Sequence, residues 1–422
     1  MKKTTSLAGA ILMLALTASG ARAEGFAISE WSARGMALAG GLVARADDAS
    51  AVAYNPAGIT QLPGTTLMFG SALSMPSGSI ETRYMGQDIS TDAKKTYWVL
   101  PHFYLSHQMT DSLWLGLGAF PRFGLGNSFP SNWPGSTGLT DVAVNTFTVN
   151  PNIVWKVNEY LSLAAGLELT GGTMTLKQHY QPALTRGIDN YSKLTGTGGA
   201  VGGNLALHLR FNDEWSAGLT YRSRMALNIH GKVKWDSQIG AAVPQAHFMQ
   251  NADVHGIMTL PDGLALGVAW KPRPDLSFEA DVTYMTWSNY RHLNIYLESP
   301  ANHVFRQDKY WRDNWGFSGS VEYKPLDWLA LRAGYTYETS PQREGYADYL
   351  VPVNGRQYFT LGAGFFWKRW TLDLAYTYIP MGDLHYDQSA ARLAARNEPS
   401  VLPGRSHNVR AHNVGVSLGY TF

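Results

Sequence analysis

The sequence predicts an all-β protein, an antiparallel transmembrane β-barrel of about 14 strands with an N-terminal plug (hatch) inside its lumen. Three observations lead there: an export leader, long runs that alternate with a period of two, and short polar turns that alternate with long loops.

Lys2 and Lys3 form a positive n-region, Leu7 to Leu16 an apolar core, and Ala21-Arg22-Ala23 an A-x-A cleavage site. The apolar run is too short to cross roughly 30 Å of hydrocarbon. Residues 1–23 are therefore expected to be a signal peptide, and losing Lys2, Lys3 and Arg22 turns the formal charge from +2 to −1. No later stretch approaches the roughly 20 apolar residues of a membrane helix. Composition agrees with a barrel: 16 % charged residues, 12 % aromatics, 43 glycines and 22 tyrosines suit strands that face lipid on one side and a lumen on the other. With no cysteine among the 422 residues, disulfides, thiolate metal sites and thiol catalysis are excluded. A net charge near zero gives no case for a nucleic-acid partner.

The strand signal is clearest at the C-terminus. Val414, Val416, Leu418, Tyr420 and Phe422 share one face, and Gly415, Ser417, Gly419 and Thr421 the other. Leu372, Leu374, Tyr376 and Tyr378 alternate with Thr371, Asp373, Ala375 and Thr377. The same holds for 276–284 and 329–337, where Glu279, Asp281 and Arg332 fall on the polar face. A dry sandwich core would not accept such charges, whereas a wet lumen would. Trp367, Trp370, Tyr376 and Tyr378 gather towards strand ends, where an interfacial girdle sits.

Six turns carry Asn, Asp, Pro or charge: 109–112, 156–159, 212–214, 271–275, 324–327 and 368–369. Seven longer polar segments lie near 77–93, 122–141, 177–197, 233–256, 291–309, 339–356 and 381–410. Thirteen connections make about 14 strands, with short periplasmic turns, external loops and both ends on the periplasmic side. The barrel then occupies 65–422. Residues 24–64 lack the period of two and are rich in Ala and Gly. Asp47-Asp48-Ala49-Ser50 suits the start of a short helix over Ala51 to Tyr54, which Pro56 would end. Apolar content argues against disorder, and a compact segment of this length fits inside such a barrel as a plug.

Gly25-Phe26, Gly35, Ala46-Asp47-Asp48-Ala49 and Asn55-Pro56-Ala57 resemble the N-terminal hatch of the FadL family. Phe120-Pro121-Arg122-Phe123-Gly124-Leu125-Gly126 also resembles a family pattern. The resemblance implies an outer-membrane location in a Gram-negative cell and passive uptake of hydrophobic small molecules, long-chain fatty acids first and monoaromatic hydrocarbons second. It also implies that the strand broken at Phe120, Pro121 and Gly124 opens a side window; the alternative is that Pro121 simply ends the strand at the external rim. The expected partners are the hydrophobic solute, outer-membrane lipids and the barrel-assembly machinery, the last through the C-terminal strand ending at Phe422; a monomer is expected.

Two rival functions are weighed. An outer-membrane lipid-acting enzyme needs an activated nucleophile or metal, and no G-x-S-x-G or H-E-x-x-H motif occurs. Neither a metal nor a cofactor is expected. An open porin needs an unplugged lumen. For a hydrophobic solute, apolar surfaces leading inward lower the barrier better than water does. Phe123, Leu125, Phe129, Trp133 and Leu139 suit ligand contact, unless the loops use the same side chains to pack on one another. A carboxylate ligand favours a cation, for which Lys177, Arg186 and Arg332 are candidates by position.

Overall fold

The structure, a computed structural model, describes residues 25–180, 187, 189–241, 246–386 and 401–422. The expected signal peptide and Arg186 lie outside the described residues. Among the described residues, twenty-one strand segments form one closed sheet of fourteen antiparallel staves. The first stave is β1 (Thr65–Tyr84), with β2 (Gln87–Asp92) folded back on its outer end; the second is β3 (Trp98–Gln108). The third is broken into β4 (Leu113–Phe120) and β5 (Gly124–Ser128). Then follow β6 (Asp141–Lys156), β7 (Leu161–Tyr180) and β8 (Asn190–Arg210). The next four staves each have two segments: β9 (Trp215–Arg222) with β10 (Met225–Trp235), β11 (Ala252–Leu260) with β12 (Gly263–Arg273), β13 (Leu276–Met285) with β14 (His292–Leu297), and β15 (His303–Asp308) with β16 (Asn314–Leu326). β17 (Leu329–Glu338), β18 (Arg356–Trp367), β19 (Trp370–Pro380) and β21 (Gly404–Thr421) complete the wall, and β20 (His385–Tyr386) pairs with the outer end of β21. β21 closes on β1 from Thr66↔Thr421 to Thr82↔Gly404, so no edge strand is left there.

All six expected turns join staves, the tightest being Lys368-Arg369 between Trp367 and Trp370, with Lys368 at φ +54°. Most of the long loops are shorter than expected, though 339–355 is as long as the sequence suggested. β1 runs through Tyr84, and β7 and β8 stay paired up to Tyr180↔Asn190. Beyond the membrane the outward face turns to Thr and Lys, so the hydropathy contrast fades although the backbone ladder continues. The glycine-rich run from Gly196 to Gly203 lies in the middle of β8, on both its faces.

Alternation sets the two faces. Leu163, Leu167, Leu169, Val201 and Leu205 are exposed to lipid, and Trp215, Trp270 and Phe278 stack in series near the short turns. The inward charges are not hydrated by a wet lumen, as the alternation suggested: Glu279, Asp281, Arg332 and Asp373 are each 3–4 % exposed. Their surroundings come from residues 25–64, which precede β1 and pack against inward-facing side chains on most of the staves.

Candidate functional site

The N-terminal segment holds two short helices, α1 (Ala33–Ala37) and α2 (Ala51–Tyr54), and a 3-10 helix, Pro56–Gln61. Sequence patterning missed α1, whose cap is Ser32 accepting from Gly35 N. Gly35 has no room for a side chain, since a Cβ there would lie 2.1 Å from the Tyr54 hydroxyl. α2 stands where expected. Pro56, however, opens the 3-10 helix and does not simply end α2, because its missing N–H costs nothing at a first helical position. Asn55 makes the bend. Its Oδ1 accepts from Ala57 N at 3.1 Å, while its Nδ2 donates to Val43 O at 2.7 Å and to Leu207 O of β8 at 3.0 Å. One side chain thus ties α2, the 3-10 helix and the wall together.

Charge fixes the segment from below. Arg34 donates to Asp47, Asp48 and Glu322 at 2.7, 2.9 and 3.0 Å, and Arg332 joins Glu322 to Asp373. Glu279 accepts from Ala44 N and Arg45 N at 2.7 and 2.9 Å. Higher up, fully buried Glu168 bridges Arg122 and Arg222. Arg222 also donates to the carbonyls of Val52 and Ala53 and lies over the rings of Trp31 and Phe120. Arg332, expected as a ligand cation, is thereby committed to holding the segment. Sequence reading missed Glu168 as well, though an acid between Leu167 and Leu169 at membrane depth was a visible signal.

Arg122 belongs to the break in the third stave. β3 and β4 stop pairing at Phe103↔Ala119, so Trp98–His102 have β1 on one side and no β5 ladder on the other. On the far side, Pro121–Phe123 stand opposite only Phe147 and Thr146 before pairing resumes at Gly124↔Asn145, which makes a bulge. The freed backbone groups are met from inside. Ile28 N donates to Arg122 O and Gly124 N to Phe26 O, both at 2.9 Å, and Trp31 Nε1 donates to Pro121 O at 2.9 Å. Phe120 is buried against Trp31 and Tyr104. Gly25 (φ +47°) is wedged beside Trp287 and Trp311, 2.7 Å from where a Cβ would sit. Phe26 fills an aromatic cage of Phe123, Trp287, Tyr290 and Trp311, with centroids 4.7–6.1 Å away.

Above the break lies a cavity of about 840 Å³. Inside, it is lined by Phe26, Phe123, Leu125, Phe129, Leu350 and Val351, and it reaches outward-facing Val99 and Phe147 on the wall. The cavity therefore runs from beneath the loops into the gap between β3 and β5. Trp98 lines that gap with its ring against Gly126, where a Cβ would lie 1.8 Å from the indole. Of the five apolar residues expected to touch a ligand, Phe123, Leu125 and Phe129 line the cavity. Trp133 and Leu139 pack in the loop layer instead: Trp133 Nε1 donates to Leu139 O at 2.7 Å and its ring meets Tyr349. Lys177 points outward beside Asp141, 3.8 Å away, remote from the cavity. The cations that do line it are Lys94, exposed at the mouth, and Arg356, whose Nη2 donates to Gly25 O at 2.7 Å. Glu30 lines it too, accepts from Asn413 Nδ2 at 2.8 Å, and has its carboxyl pushed up by burial. Among the described residues, no cluster of His, Asp and Glu has metal-binding geometry.

A family of outer membrane transport proteins (OMPP1/FadL/TodX) matches residues 14–422. An outer membrane protein of Neisseria meningitidis serogroup B is 25 % identical, over 100 % of this chain and 98 % of its own. A long-chain fatty acid transport protein of Escherichia coli (strain CFT073) is 24 % identical over 83 % and 85 %. Among solved structures, a Pseudomonas aeruginosa FadL homologue superposes with a TM-score of 0.82 at 18 % identity, covering 94 % of this chain and 99 % of its own. The P. putida toluene transporter TodX gives 0.73 at 17 % identity, over 93 % and 99 %.

Proposed function

Because the chain belongs to the OMPP1/FadL/TodX family of outer membrane transport proteins, we propose that it admits long-chain fatty acids to a Gram-negative cell through the cavity under its loops. It is a transporter of hydrophobic compounds and not an enzyme. The single observation that supports a long-chain cargo is the cavity itself, about 840 Å³ of mostly apolar wall with Lys94 and Arg356 along it. Each CH₂ moved from water onto such a wall gains about 0.8 kcal/mol, and a cation near the mouth suits a carboxylate.

In this reading residues 25–64 are a plug that bars water and ions, with Phe26 as its outermost residue. Cargo collects on Phe123, Leu125 and Phe129, displaces Phe26 from its cage, and leaves sideways between β3 and β5 past Trp98. The C-terminal strand ending at Phe422 addresses the barrel to the assembly machinery, and the barrel works as a monomer among outer-membrane lipids. A second cargo class, monoaromatic hydrocarbons, is favoured by the aromatic cage around Phe26. Growth of an uptake-deficient host on oleate separates the two. Rescue by this chain is expected; absence of rescue together with measurable toluene binding by the purified barrel reverses the order.

A further inference from the structure

The lipid-facing surface of β6, β7, β8 and β10 changes character in regular steps. From the periplasmic end, the outward pairs of β7 and β8 are Leu161↔Leu209, Leu163↔Leu207, Ala165↔Leu205, Leu167↔Gly203 and Leu169↔Val201. Next come Gly171↔Gly199, Thr173↔Thr197 and Thr175↔Thr195, and then Lys177↔Lys193. The next stave continues that last row, because Lys193 pairs with Lys234. Three lysines thus stand side by side on adjacent staves, with Lys232 diagonally below Lys193, opposite Thr195.

Like charges directly opposite one another destabilise a sheet. Here little inside the protein offsets them. Lys177 has Asp141 at 3.8 Å and Lys232 has Asp253 at 3.6 Å, at the two ends of the patch. Lys193 and Lys234, in its centre, are exposed and form no ion pair with any described residue. Eight residues separate the Leu169 and Lys177 rungs, about 26 Å along the strand and about 20 Å in height at a tilt near 40°. Phe147, exposed and opposite Gly171, carries the apolar edge two residues higher. The lysine row is therefore set back from the hydrocarbon edge, where glycerophospholipid phosphates lie, by roughly the depth of a sugar layer, and long lysine stems can reach down towards it.

We propose that Lys177, Lys193, Lys232 and Lys234 form a docking surface for the phosphorylated sugars of an outer-leaflet glycolipid. The partner supplies the anionic charge that the row lacks, while its acyl chains lie on the Leu and Val pairs below. The four lysines are on the outside of the wall and none of them lines the transport cavity, whose outer reach ends lower, at Phe147, Gly171, Thr173 and Thr197.

The test uses the full barrel extracted from outer membranes in mild detergent and delipidated, with binding of purified lipid A carrying its phosphorylated core followed by native mass spectrometry. Wild type is expected to bind it about tenfold more tightly than Lys193→Gln/Lys234→Gln, with retention restored by Lys193→Arg/Lys234→Arg. All three chains should keep heat-modifiable migration, because the substituted side chains are exposed. The dephosphorylated glycolipid should bind wild type and the Gln variant equally weakly. Equal binding of the intact glycolipid by wild type and the Gln variant overturns the proposal. Equal occupancy by phosphatidylglycerol overturns the glycolipid assignment, and so does undiminished binding after dephosphorylation.

Discussion

The periplasmic and extracellular halves of the lumen meet at the broken stave, and they are built from opposite materials. Below it, Arg34, Arg45, Glu168, Glu279, Glu322, Arg332 and Asp373 are all buried and paired. Above it, Phe26, Phe123, Phe129, Leu350 and Val351 surround open space. A buried ion pair tolerates little displacement, because moving one partner leaves the other desolvated and alone. Apolar walls hold no such fixed partners, and in the proposed route a ligand would replace the ring contacts that Phe26 gives up. The lower half is thus suited to holding a segment in place and the upper half to letting something through, with Arg122 and Glu168 joining the two.

That contrast can be broken in three places. The largest effect is expected from deleting residues 25–64. The inward carboxylates and arginines would then be hydrated, the barrel should still assemble, and single-channel conductance in planar bilayers should rise from near zero to that of an open pore. Conductance unchanged by the deletion would mean that the loops, and not the ion-paired segment, form the seal.

Next in size is Glu168→Ala, which leaves Arg122 and Arg222 buried without their carboxylate. Removing one partner of a buried pair costs about 3–5 kcal/mol, so the urea midpoint of the refolded barrel should fall clearly, with Glu168→Gln falling less. A midpoint equal to wild type would show that the lower half is not held by charge.

The smallest effect on stability, though not on transport, belongs to Pro121→Val. Restoring an N–H at the break favours continuous pairing of the third stave. Assembly and ligand binding at the loops should be normal and oleate uptake reduced. Uptake at the wild-type rate would leave Pro121 as a strand terminator with no part in the exit.

Much of this was legible before any coordinates. The fourteen staves and the six short turns follow from period-two alternation and turn residues, since both are local properties of the backbone. The short helix over Ala51–Tyr54 was legible too, while the bend at Asn55 rests partly on a local bond of the kind short amide side chains make, its Oδ1 accepting from Ala57 N. Alternation also placed Glu279, Asp281, Arg332 and Asp373 inward. It did not say that they would be dry, because a period of two names the face of a residue and not its neighbour across the lumen. Arg332 turned out to hold the N-terminal segment and Trp133 to hold a loop, since their partners, Glu322 and Leu139 O, are chosen by how the closed sheet curves. The cavity is decided at the same level. Its lining draws on β1, β3, β5, β6, β7 and the loop at Leu350–Val353, which are distant in sequence and meet only when β21 closes on β1. Local chemistry therefore determined the strands and their faces, and closure of the barrel around residues 25–64 decided which inward side chains pair and which leave a passage.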